Sequence, residues 1–76
     1  MKHGTICRLG NILFDYRGKT KQGHVRGGHS VDANTGKCHW VCPSKAGNVM
    51  CYICNDFRVA TPNEVDIFNK AINKNK

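Results

Sequence analysis

Apolar positions come in short runs near the start of the chain and at helical spacing near its end. Ile6–Leu9 and Ile12–Tyr16 are two such runs, joined by Gly10-Asn11. Runs of this length around a Gly-Asn pair predict a β-hairpin over residues 5–16, because both turn residues tolerate the positive φ of a two-residue loop. Cys38–Val41 and Val49–Ile53 are β-rich in the same way. They are linked by Pro43-Ser44-Lys45-Ala46-Gly47-Asn48, which is mostly turn chemistry. Phe57–Ala60 is a third candidate strand. A helix start follows, with Thr61 as N-cap, Pro62 at the first helical position and Glu64 three residues after the cap. Val65, Phe68, Ala71 and Ile72 then share one face, which predicts a helix over 62–73 with that stripe toward the core. Docking of the stripe into a partner's groove is the rival reading.

Between these patterned segments, residues 17–37 carry glycine at 18, 23, 27, 28 and 36, with Arg17, Lys19, Lys21, Arg26 and Lys37 spread among them and Asp32 as the only acid. The expectation here is a basic, glycine-rich loop, or a loosely twisted pair of strands. A loop of this length inside a small domain is unusual unless it has a function.

Composition narrows the class. At 76 residues the chain is one domain, too short for a conventional enzyme core with a deep pocket. A domain of this size buries only about 60% of its unfolded surface, so its core alone is marginal. Twelve Lys and Arg against five Asp and Glu give a net charge of +7. That surplus favours an anionic partner, either nucleic acid or an acidic protein face. No apolar run approaches the h-region of a secretory signal or the length of a membrane span, so the expected location is cytoplasmic with no membrane partner. In a reducing compartment, close cysteine pairs are metal ligands more often than disulfides. The odd count of five cysteines agrees with this, against the alternative of a small secreted disulfide-stapled protein.

Four of those cysteines, Cys38, Cys42, Cys51 and Cys54, form two close pairs with a short connector. Such a set can place four sulfurs around one Zn2+ ion, whose binding adds on the order of 10 kcal/mol to folding. Cys51-Tyr52-Ile53-Cys54-Asn55 has the form of a zinc knuckle, with Asn after the second cysteine suited to a left-handed turn. Pro43 after Cys42 forbids a second copy of that turn, so this half is either a wider loop or has His39 as an alternative ligand. Cys7, in a candidate strand, reads as a core thiol. The two pairs and flanking strands of residues 38–60 resemble the zinc-ribbon class, in which loops at the ends of β-hairpins clamp one zinc. The resemblance implies a small α+β fold of zinc-stabilised β-hairpins with one C-terminal helix. It also implies a role near transcription, translation or nucleic-acid modification. A closed four-thiolate site is structural rather than catalytic.

The cations of the basic segment carry the functional expectation. Arg17, Lys19, Lys21, His24, Arg26 and His29, with Arg58, could follow a phosphate backbone, while Tyr16, Trp40, Tyr52 and Phe57 offer rings for base stacking. Four to six phosphate contacts would make affinity fall steeply with salt. The reading is a non-enzymatic, zinc-binding regulatory protein acting on nucleic acid or on nucleic-acid-processing machinery. One alternative is an adaptor or inhibitor of the phage or mobile-element kind, docking a host polymerase or nuclease through Trp40 or the helix face. Another is a small histidine–metal nuclease using His24, His29, Asp32 and Asn34.

Overall fold

The structure, a computed structural model, describes residues 2–41, 48–51 and 57–74; for Trp40, Val41, Asn48, Met50 and Cys51 it describes the backbone. The elements are β1 (Ile6–Leu9), β2 (Ile12–Lys19), β3 (Val25–Asp32), β4 (Cys38–Val41), β5 (Asn48–Cys51), β6 (Arg58–Val59) and one helix, α1 (Pro62–Lys74). The six strands form one antiparallel sheet in the order β4-β3-β2-β1-β6, with β5 also paired to β3. The fold is therefore small and α+β, as the pattern of the chain implied.

β1 and β2 pair as a hairpin, with Leu9 opposite Ile12 and Ile6 opposite Asp15. Of the two turn residues only Gly10 takes a positive φ, +57°. That is the requirement of a type II′ turn, which needs one permissive residue at its first central position rather than two.

The expected basic loop over 17–37 is instead the middle of the sheet. β2 runs on to Lys19, a short turn follows, and β3 pairs along β2 from Lys19↔Val25 to Ile12↔Asp32. The amide of Gly23 donates to the Thr20 carbonyl (3.0 Å) and that of Thr20 to the His24 carbonyl (2.8 Å), closing the turn. Of the two readings offered for this stretch, a pair of strands is the one the chain adopts.

The segment expected as a hairpin over 38–60 is also built differently. β4 and β5 do not pair with each other. Both pair antiparallel with β3, β4 along His29–Val31 and β5 along Val25–Gly27. They are two stretches of one interrupted edge strand. β6 lies at the far edge, where Val59 pairs with Cys7 and Arg58 with Arg8.

Strand alternation divides the sheet into two faces. Leu13 and Val31 point to one face and meet Phe68 and Ala71 of α1, with Ile6, Ala33, Cys38, Ala60, Ile67 and Ile72 around them. Cys7, Phe14 and Val25 point to the other, packed against Leu9, Tyr16 and Phe57. The helix begins with a reciprocal cap: Glu64 N–H donates to Thr61 Oγ1 (3.3 Å) and Thr61 N–H to Glu64 Oε1 (2.8 Å). Each bond satisfies an amide that the first turn leaves without an intrahelical partner. Glu64, Phe68 and Ala71 are the buried helical positions.

Candidate nucleic-acid interface

The cysteines are not brought to one point by the described strands. Cys42 and Cys54 lie outside the described residues. Cys38 stands opposite Val31 and Cys51 opposite Val25, six residues apart along β3. At about 3.3 Å per residue that is roughly 20 Å, whereas two sulfurs on one zinc are at most about 4.6 Å apart. His39 is at the Cys38 end, 3.8 Å from Asp32. No group of three His, Cys, Asp or Glu able to hold a metal ion occurs among the described residues. Cys7 is the core thiol the sequence implied, fully buried, and burial pushes its pKa up.

The cations share one hairpin, with one exception. Arg17, Lys19, Lys21, His24 and Arg26 all belong to the β2–β3 hairpin, and no acid occurs between Asp15 and Asp32. Lys21 is exposed at the turn and His24 is half-buried beside it. Lys19 Nζ sits 5.9 Å from the centre of the Phe57 ring, a cation–π distance. Arg26 is half-buried on β3. Arg58 is the exception. It stands on β6, three strand spacings or about 14 Å across the sheet from β3. There its guanidinium binds both carboxylate oxygens of Glu64, at 2.9 and 3.0 Å.

Two buried carboxylates organise the arginines, and sequence reading assigned neither a role in a site. Asp15 is 5% exposed. Its Oδ1 accepts from the amides of Gly28 (3.1 Å) and His29 (2.6 Å) and lies 3.2 Å from His29 Nδ1. Its Oδ2 takes Arg17 Nε at 3.0 Å and the guanidinium's terminal nitrogen at 2.9 Å. Gly28 makes this possible. A Cβ there would stand 2.6 Å from Asp15 Oδ2 and 2.8 Å from Arg17 Nε. The signal was present in the sequence: period-2 alternation puts Asp15 on the same face as Leu13, so it had to be buried and partnered.

Glu64 takes Arg8 at 2.5 Å as well as Arg58. Arg58, Arg8 and the Thr61 amide hold its carboxyl far below the usual carboxylate range, and Glu64 in turn raises the Arg58 pKa. Asp32 is lowered by the amides of Thr35 and Asn34 (2.9 and 2.7 Å), with a smaller effect from His39.

These pairings change the charge that the hairpin offers a ligand. Arg17 is matched by Asp15, whereas Lys19 lies over the Phe57 ring and Lys21 is exposed at the turn. His24 and His29, five residues apart on a nearly extended chain, are separated by about 16 Å, so they do not form one metal-activated pair.

Compared with protein families, with characterised proteins and with solved structures, the chain finds no match. No helix among the described residues is long and apolar enough to cross a membrane.

Proposed function

We propose that this is a small, non-enzymatic regulatory protein that binds nucleic acid through the β2–β3 hairpin. The observation that carries the reading is the run from Arg17 to Arg26, cationic throughout and without an acid, folded into one two-stranded ribbon. A β-ribbon of this kind can lie in a groove or along a phosphate backbone, which a disordered basic segment does only at a larger cost in conformational entropy. Lys19, Lys21 and Arg26 supply the phosphate contacts.

Three contacts set the expected salt dependence. With about 0.7 counterions released per phosphate contact on a single strand, raising salt from 50 to 200 mM weakens binding about 20-fold; on a duplex the factor is about 40. Fluorescence anisotropy with a labelled oligonucleotide reads this slope. Changing Lys19, Lys21 and Arg26 together to Gln is expected to flatten it and abolish tight binding. An unchanged slope in that variant would reject the hairpin as the contact surface.

Zinc is a separable part of the proposal. Of Cys38, Cys42, Cys51 and Cys54, with His39 as the alternative, the set Cys42, Cys51 and Cys54 is the one we propose it would draw on. The hairpin's binding does not depend on the ion.

A further inference from the structure

The face of the sheet opposite α1 has rings beside the basic hairpin. Tyr16 and Phe57 stack on each other, with centroids 6.1 Å apart and planes within 18°. His3 meets Tyr16 edge-on at 6.0 Å. Phe14 lies beneath, 5.9 Å from Phe57. Phe14 is fully buried, but Tyr16 and Phe57 are only half-buried and His3 is exposed. The rings therefore form the upper layer of a core cluster whose outer surface reaches solvent.

Charge surrounds this layer on one side. Lys19 reaches over Phe57, Lys21 is at the adjoining turn, and the exposed Lys2 adjoins His3 in the chain. Asp15 points to the helix side, with Leu13. Glu64 and Asp66 are on α1. Asp32 is the one described carboxylate that shares the ring face, opposite Ile12 at the far end of β3 and held by its own turn. Half-exposed rings ringed by lysines suit a ligand with flat apolar groups on an anionic chain.

Resting on the nucleic-acid reading above, we infer that the ligand is single-stranded, and that one or two of its bases stack on the His3–Tyr16–Phe57 surface while Lys19 and Lys21 hold the adjoining phosphates. A duplex keeps its bases stacked on each other and offers this surface nothing to receive. An unpaired strand exposes ring faces that any aromatic side chain can cover, independent of sequence. The lysine over Phe57 adds a cation at the height where the sugar–phosphate chain leaves a stacked base.

The test compares three labelled probes at one ionic strength: a twelve-nucleotide oligothymidine, an abasic strand of the same length, and a duplex of the same length. The abasic strand keeps the phosphates and lacks the rings. Stacking of one base predicts that oligothymidine binds about 5- to 160-fold more tightly than the abasic strand, and more tightly than the duplex. Equal affinity for abasic and base-bearing strands, or preference for the duplex, overturns the inference and leaves the hairpin reading standing. Absence of salt-dependent binding to all three probes overturns both. Two variants localise the effect. Tyr16→Leu keeps an apolar side chain over the core but no ring, and His3→Ala removes an exposed ring that the core does not need. Each is expected to narrow the gap between oligothymidine and the abasic strand while circular dichroism stays that of the parent. A gap unchanged in both variants overturns the assignment of this surface.

Discussion

Glu64 has three jobs on one carboxylate: it caps α1, binds Arg58 on β6 and binds Arg8 on β1. Its folded pKa is depressed, so the stability it contributes is complete above the unfolded value, about 4.3, and is lost as pH falls through the lower folded value. Glu64→Gln is therefore expected to lower the melting temperature at pH 7. The gap to the parent should shrink steadily below about pH 4.3, which thermal melts between pH 7 and 2 will follow. Arg8 and Arg58 keep 29% and 53% of their side chains exposed, so both can return to water and the loss is graded rather than complete. Gly28→Ala should be more damaging at neutral pH. It drives a methyl into Asp15 and Arg17, so the carboxylate either moves off the Gly28 and His29 amides or the strand shifts, and buried amides without partners cost about 1–3 kcal/mol each. Chemical denaturation of the variant measures this directly.

At the scale of elements, legibility followed the size of the side chains. The β1–β2 hairpin could be read from the sequence because two apolar runs flank Gly10-Asn11, and α1 because Val65, Phe68 and Ile72 recur at helical spacing and the Thr61-Pro62-Asn63-Glu64 start names its own cap. β3 was legible only as one of two readings, since Val-Arg-Gly-Gly-His-Ser-Val-Asp shows little apolar alternation. Its Gly28 leaves room that Asp15 and Arg17 fill from β2, so a buried strand resembles a polar loop in sequence. The pairing of β4 and β5 was hidden for a related reason: cysteine spacing along the chain carries no information about two strands sharing one partner. With that register, Cys38→Ser is expected to leave any zinc stoichiometry seen by native mass spectrometry unchanged, while Cys54→Ser lowers it. Loss of zinc in Cys38→Ser would show that the β4–β5 edge has left β3. For α1, Thr61→Ala should cost about 1 kcal/mol through the lost cap, and Phe68→Ala about 3–5 kcal/mol through the cavity against Leu13 and Val31.

Taken whole, the molecule is a sheet with a helix on one face and rings on the other, and its charge is divided accordingly. Of the described carboxylates, Glu64 and Asp66 are on α1, Asp15 is buried in mid-sheet against Arg17, and Asp32 is at the end of β3. The hairpin end keeps its positive charge. A net charge of +7 alone predicts nonspecific attraction to any polyanion; the acid-free stretch between Asp15 and Asp32 is what gives the attraction a place. Heparin competes for charge but has no bases. It is therefore expected to displace a bound oligonucleotide less effectively than an equal phosphate concentration of unlabelled oligothymidine, in a competition titration.

Arg8 and Glu64 are fifty-six positions apart, and β1 takes β6 as its second neighbour. On the ribosome, then, the earliest strand emerges long before the segment that shields it. β1 and β2 can zip together at once, but Leu13 and Val31 stay wet and one strand margin stays bare until residues 57–74 arrive. A product cut short before that point displays a sticky border, and self-association of such fragments is the hazard this chain order builds in.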